Sequence, residues 1–210
     1  MIVYIELISD YVCPWCYIGK ARLERLQKKL EGEITLKIGI LPYVLYPHIP
    51  PGGRPKQEFS ENVKPGMGRS LRTEAKEEGI ELNYKLIERI PYSLEAHRLT
   101  WLVNDQTKKY ALAKCIFHDY FEEGQDIESL DYLSTVATRL DISPIIIDCF
   151  LSSDGGRKEV SASIKSTKEA FISVVPSMRL DGRFMVPGLQ SIDVWEKYVR
   201  RAARIKDKIE

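Results

Sequence analysis

The sequence predicts an α/β fold in which a βαβ unit near the N-terminus and an αββα unit near the C-terminus share one sheet, with a large all-helical insertion between them. Three observations carry that expectation. A short, almost wholly apolar run, Ile2 to Ile8, leads directly to Cys13-Pro14-Trp15-Cys16 and then to an amphipathic segment. Ile34, Leu36, Ile38 and Ile40 then alternate with other residues, which is the period of a strand. Towards the other end, Asp181-Gly182 separates two short apolar runs, the composition of a tight hairpin.

The first run reads as a strand buried on both faces. After the cysteines, Cys16, Gly19, Leu23, Leu26 and Leu30 recur at spacings of three and four, one face of a helix, with Gly32 as its C-cap. Strand, helix and strand in this order make the two strands parallel. The segment from Tyr46 to Lys64 is rich in proline and glycine and ends in Lys64-Pro65-Gly66, which marks an ordered loop. Helices are expected over Lys64–Glu78, Ser93–Asn104, Lys108–Glu122, Ser129–Leu140 and Pro144–Leu151, and Gly155-Gly156 closes this region. A helix over Lys158–Phe171 follows, then a strand from Val174 to Leu180 with Pro176 near its start. Phe184, Met185 and Val186 return antiparallel after the turn, and Pro187-Gly188 ends that strand. Ser191 can cap a last helix carrying Ile192, Trp195, Val199 and Ala202 on one face. Arg200, Arg201, Arg204 and Lys206 near its end complement the helix dipole. The order βαβ…αββα is that of a thioredoxin-like sheet. The expected division is a thioredoxin-like domain over residues 1–45 and 157–210 and an inserted helical domain over residues 46–156.

A chain of 210 residues with 44% apolar side chains suits a folded globular protein. Its 31 basic and 30 acidic side chains nearly cancel, which argues against a nucleic-acid or anionic-membrane partner. No apolar stretch approaches the roughly 18 residues of a membrane span. The N-terminus enters a strand at once, without a basic stretch and apolar run ahead of it, so a cytoplasmic location is expected. Four cysteines are too few for a disulfide framework in a chain this long.

The chemistry is expected at Cys13 and Cys16. Disulfide exchange needs one sulfur to attack and a second to resolve the mixed disulfide. Two cysteines at a helix start supply both, because a helix N-terminus favours a thiolate. On this reading Cys13 is exposed at the cap, facing free N–H groups, and Cys16 is shielded one turn in. Pro14 suits the first helical turn, where a missing N–H costs little. Trp15 beside the sulfurs adds shape and stacking surface. A cis Val175–Pro176 bond would free the backbone polar groups of Val175 for a bound peptide. The main competitor is a metal site, but it lacks a second cysteine pair, and Cys115 with His118 is the best substitute. Haem attachment requires histidine after the second cysteine, where Tyr17 stands. Cys115 and Cys149 read as small buried apolar residues. His97 and His118 read as packing or hydrogen-bonding residues, and Tyr11, Tyr43 and Tyr46 as core or cleft residues.

The stretch Asp10-Tyr-Val-Cys-Pro-Trp-Cys-Tyr-Ile-Gly-Lys20 resembles the active-site signature of the FrnE-like branch of the DsbA family, which includes 2-hydroxychromene-2-carboxylate isomerase-like proteins. The resemblance continues in Pro42-Tyr-Val-Leu-Tyr-Pro47, Glu95-Ala-His-Arg-Leu99, Asp119-Tyr-Phe-Glu-Glu-Gly-Gln-Asp126, Val175-Pro176-Ser177 and Val186-Pro-Gly-Leu-Gln190. It implies a thioredoxin fold with a helical insertion, protein-disulfide oxidoreductase activity, attack by Cys13, resolution by Cys16 and a cis Pro176. Pro14, Trp15, Val175, Pro176 and Gln190 are the candidate substrate-binding residues. The expected substrates are protein or small-molecule thiols and disulfides. No cofactor is expected beyond the redox-active cysteine pair, with glutathione as a candidate co-substrate. Family members usually carry Gly-Val-Pro-Thr-Phe at the proline and Ser-Gly-Ala-Gln further on. Val174-Val175-Pro176-Ser177-Met178 and Pro187-Gly188-Leu189-Gln190 depart from both, at the expected substrate groove. The alternative activity is that of a glutathione-dependent isomerase or transferase of the kappa-class type, with the helix start at Ser191 receiving a carboxylate. Such enzymes typically have serine where Cys13 stands.

Overall fold

In a computed structural model the described residues are 1–57 and 67–206. The strands are β1 (Ile2–Ser9), β2 (Thr35–Pro42), β3 (Arg54–Pro55), β4 (Arg89–Ile90), β5 (Ser177–Leu180) and β6 (Phe184–Pro187). The helices are α1 (Pro14–Lys29), α2 (Met67–Glu77), α3 (Leu94–Leu102), α4 (Gln106–Phe121), α5 (Leu130–Thr138), α6 (Pro144–Leu151), α7 (Arg157–Glu169) and α8 (Ile192–Lys206). The main sheet runs β2-β1-β5-β6. β1 and β2 are parallel, from Ile2 against Thr35 to Ser9 against Pro42, and β5 lies antiparallel to both β1 and β6. This is the α/β thioredoxin-like arrangement with a helical insertion that the element order predicts. Among the described residues no helix is long and apolar enough to cross a membrane.

The core explains why these runs pair. Val3, Ile5 and Leu7 of β1 pack with Leu23 and Leu26 of α1, Leu36, Met178, and Trp195 of α8. Burying each aliphatic side chain there contributes about 1.5–3 kcal/mol. The opposite face of β1 differs from the two-sided burial expected for it. Ile2 and Tyr4 are exposed, and Glu6 pairs with Arg179 across the sheet at 2.5 Å. The C-terminal end of that face is covered: Ile8 joins a second core with Tyr11, Cys13, Cys16, Leu99 and Phe117. The helical insertion therefore roofs the cysteine end of the sheet and leaves the other end open.

Other differences are local. The helix α1 closes at Leu30, and Gly32, expected as its cap, takes φ +83° two residues later. The proline-rich loop contains β3, which pairs with β4 in a two-stranded ladder that alternation in the sequence does not reveal. The expected helix start at Lys64 lies outside the described residues. The strand expected from Val174 begins at Ser177, because the cis Val175–Pro176 bond precedes the ladder. The hairpin turn has the expected residues. Asp181 and Gly182 both have positive φ, and Arg183 N–H donates to the Leu180 carbonyl at 2.9 Å, as a mirror-image turn requires.

Candidate active site

The strand β1 ends at Ser9, and Asp10-Tyr11-Val12 turns the chain into α1. The Cys13 N–H donates to the Asp10 carbonyl at 3.1 Å, and the Cys13 carbonyl accepts from Cys16 and Tyr17 at 3.0 and 3.3 Å. Cys13 is thus the N-cap in extended conformation, and Pro14 opens the helix. The structure corrects the expected placement of the Cys13 side chain. It is only 3% exposed and makes no capping bond to the helix amides. Its thiol instead approaches the Val175 carbonyl, at 3.8 Å, beside the cis bond to Pro176. Trp15 of α1 and, from farther along the chain, Tyr46 and Tyr84 pack against the core that contains Cys13. Burial raises the phenol pKa of both Tyr46 and Tyr84, and negative charge at Cys13 raises them further.

Cys16 is fully buried. Burial drives its thiol well above the ordinary range, and the neighbouring Cys13 thiol adds to the rise. The Asp10 main-chain amide pulls the other way. Both cysteines are free thiols, as are Cys115 and Cys149. Cys115 is half-buried and Cys149, expected to be buried, is exposed on the outer face of α6. His118 contacts Asp119 at 3.1 Å, and among the described residues no group of three or more potential ligands gathers into a metal site.

A cleft of about 480 Å³ runs beside the cysteines, lined by Trp15, Val174, Val175, Pro176, Leu189 and Gln190. The candidate substrate-binding residues Trp15, Val175, Pro176 and Gln190 therefore share one wall system, and Pro14 sits half-buried at the helix start. Gln190 is held at both ends. Its side chain donates to the Pro187 carbonyl at 2.8 Å, and its carbonyl accepts from Arg22 at 2.9 Å. Ser191, expected at a helix start, accepts from Val194 N–H at 3.4 Å and caps α8.

Five contributors were not legible as site residues. Gly19 lets Pro176 approach α1, since a Cβ there would stand 3.0 Å from the proline Cγ. Arg22, 3% exposed, binds Glu74 and Glu78 as well as Gln190, and so ties α1 to the end of α2 and to the cleft wall. Tyr84 reaches the site from the insertion. His97 of α3 lies 3.4 Å from the fully buried Asp10 carboxylate. The charged residue inside a turn beside a cysteine motif is the one signal that could have pointed to Asp10.

Comparison with known proteins agrees with this geometry. A family model for the DSBA-like thioredoxin domain matches residues 4–200. The uncharacterized protein YwbO of Bacillus subtilis is 26% identical over 200 residues, spanning 95% of this chain and 96% of that protein. The crystal structure of the probable DsbA oxidoreductase SCO1869 from Streptomyces coelicolor superposes with a TM-score of 0.82 at 20% identity, over 95% of this chain and 89% of that one. The cytosolic disulfide reductase DsbM from Pseudomonas aeruginosa, solved with GSH, superposes with a TM-score of 0.62 at 16% identity, over 96% and 99% of the two chains. The chain belongs to the DSBA-like thioredoxin domain family, as a thiol–disulfide oxidoreductase.

Proposed function

We propose that the protein exchanges disulfides with polypeptide substrates through Cys13 and Cys16, with Cys13 attacking and Cys16 resolving. The observation that carries this reading is the Cys13 thiol facing the Val175 carbonyl at 3.8 Å, with Cys16 buried one turn behind it. As a thiolate, Cys13 attacks one sulfur of the substrate disulfide, and the other leaves as a thiolate. Cys16 then attacks the Cys13 sulfur. The Cys13–Cys16 bond forms, the second substrate sulfur departs, and the substrate has gained the two electrons that the protein has lost.

The backbone of Val175 stands outside the ladder, so an extended substrate can pair with it while a neighbouring side chain enters the cleft beside Trp15. Pro14 and Pro176 shape that approach and Gln190 forms its far wall. The redox group is the cysteine pair itself. Glutathione is the proposed reductant that returns the pair to the dithiol, a role supported by the GSH-bound disulfide reductase of similar fold. That protein is cytosolic, and we place this chain in the cytoplasm, where the glutathione poise favours reduction or isomerisation of disulfides over net oxidation.

The test is reduction of insulin disulfides by wild type and by Cys13→Ser. Loss of turnover in the variant is the expected result, and turnover at the wild-type rate would remove Cys13 from the mechanism.

A further inference from the structure

Phe171 combines two features that each cost the fold stability. Its side chain is 95% exposed, more than any other large apolar side chain among the described residues; Ile145 follows at 75%. Its backbone is left-handed, at φ +58°. Among the described residues, the other non-glycine residues with positive φ are Asp141 and Asp181, and aspartate tolerates that region far better than a bulky aromatic residue does. The conformation belongs to the end of α7. The Phe171 N–H donates to the Lys168 carbonyl at 3.0 Å, and the Ile172 N–H to the Thr167 carbonyl at 3.3 Å. This pair of bonds closes a helix through a left-handed residue, a place usually taken by glycine. Neither packing nor local conformation accounts for a phenylalanine there.

A second observation ties Phe171 to the site. The next residue, Ile172, is 7% exposed and joins the same core as Cys13 and Val175. Val174 is 45% exposed and lines the cleft. The Val175 carbonyl is the group that the Cys13 thiol approaches, at 3.8 Å. The segment from α7 to the cis bond therefore buries Ile172 and Val175 and leaves Phe171 and Val174 exposed. Three residues of chain span at most about 10 Å, so the Phe171 backbone lies within that distance of the Val174 wall. A substrate sulfur joined to Cys13 sits beside Val175. A polypeptide running from that sulfur back along the segment reaches Phe171, whereas a small disulfide ends short of it. The two helix-closing bonds and the buried Ile172 hold the ring out from the surface, so little freedom is lost when a partner covers it.

We propose that Phe171 is a specificity-determining residue, which receives a large apolar side chain of the polypeptide within about four residues of the cysteine that joins Cys13. This rests on the reading of Cys13 as the attacking sulfur and of the Val175 backbone as the edge along which the substrate runs. Phe171 makes and breaks no bond; it adds affinity for one kind of chain. Burying the ring against an apolar partner strengthens association about tenfold. A polypeptide with apolar side chains near its cystine gains that factor, and a small disulfide does not. The left-handed aromatic residue is thus a case of stability given up for recognition.

The experiment uses the full chain carrying Cys115→Ser and Cys149→Ser, reduced, with probes that each bear a nitrothiobenzoate mixed disulfide. The probes are mercaptoethanol, a short peptide with leucine and phenylalanine beside its cysteine, and the same peptide with serine at those positions. Cys13 bonds to the probe sulfur and the coloured nitrothiobenzoate thiolate leaves, which gives a second-order rate constant for each probe. Phe171→Gly is expected to slow the apolar peptide about tenfold and to leave the mercaptoethanol and serine probes at the parent's rate. Phe171→Trp is expected to keep the parent's preference. The melting temperature of Phe171→Gly is expected to rise by about 2–4 °C, because glycine relieves the left-handed backbone. A lower melting temperature would show that the ring serves the fold and would overturn the proposal. Unchanged rates on every probe in Phe171→Gly, with Cys13→Ser inert, would overturn the proposal alone. Unchanged rates with loss of a self-associated species in sedimentation would put a second copy of this chain on the ring, and would also overturn it. Release from Cys13→Ser at the parent's rate would overturn the assignment of the attacking sulfur and this proposal with it.

Discussion

Gly19 and Pro176 touch across the active site: a Cβ at Gly19 would stand 3.0 Å from the proline Cγ and 3.3 Å from its Cβ. The absent side chain lets α1 and the cis-proline loop close on each other, and the Leu189 side chain packs at the same point, 3.5 Å away. Gly19→Ala gains about 1 kcal/mol of helix propensity and loses a comparable amount to overpacking. The expected outcome is a melting temperature close to wild type with insulin reduction down several-fold, because the loop that carries Val175 moves. Steady-state kinetics beside a thermal melt separates the two effects.

Tyr46 and Tyr84 pack against the core that contains Cys13. Removing one of them should open it. Tyr84→Ala is expected to raise the rate of Cys13 alkylation by iodoacetamide several-fold at neutral pH, read by peptide mapping. An unchanged rate would mean that Tyr84 does not limit access.

Arg22 and Glu78 form a buried ion pair, with side chains 4% and 1% exposed and 2.7 Å apart. Removing the guanidinium leaves the Glu78 carboxylate buried with the partly exposed Arg25, at 2.9 Å, as its remaining ion-pair partner among the described residues. Arg22→Met is therefore expected to destabilise the fold by about 3–5 kcal/mol, measured by urea denaturation. Because the same side chain holds the Gln190 carbonyl, the loss also loosens the cleft wall.

Six phenols, Tyr11, Tyr17, Tyr84, Tyr110, Tyr120 and Tyr132, have pKa values raised above the ordinary 10, in each case chiefly by burial. Above pH 10 the unfolded chain gives up these protons and the folded chain keeps them, so unfolding is favoured as pH rises. Lys20 works in the opposite sense. Burial lowers its pKa from 10.5 to about 8, so between those values the folded chain binds fewer protons and gains stability with rising pH. One lysine cannot offset six phenols above 10. The melting temperature should hold through mildly alkaline solution and fall steeply above pH 10, and a flat profile to pH 11 would contradict the burial of these rings.

The sheet and the cysteine motif were legible because their signals are local. Alternation in Ile34 to Ile40, the Asp181-Gly182 turn and the apolar stripe of α1 each act within a few residues of sequence. The burial of Cys13 was not legible, since the core it joins gathers residues distant in sequence, Leu99 and Phe117 among them. The exposed face of β1 was hidden for the same reason: Ile2 and Tyr4 are apolar in sequence, and only the tertiary arrangement shows that both side chains are exposed. The partnership of Asp10 with His97 spans 87 positions, and neither residue carries a local pattern that announces the other. The cis Pro176 was readable only together with the cysteine motif and the element order, since Val175-Pro176 alone reads as an ordinary trans proline at a strand start.

The central claim is the division of labour between the two sulfurs, and trapping tests it most directly. Cys16→Ser is incubated with a disulfide-bearing polypeptide, quenched in acid and digested without reductant, and the mixed disulfide is located by mass spectrometry. The expected result is a stable covalent complex through Cys13, absent from Cys13→Ser. No complex in Cys16→Ser, or an equal complex through Cys16 in Cys13→Ser, would contradict it.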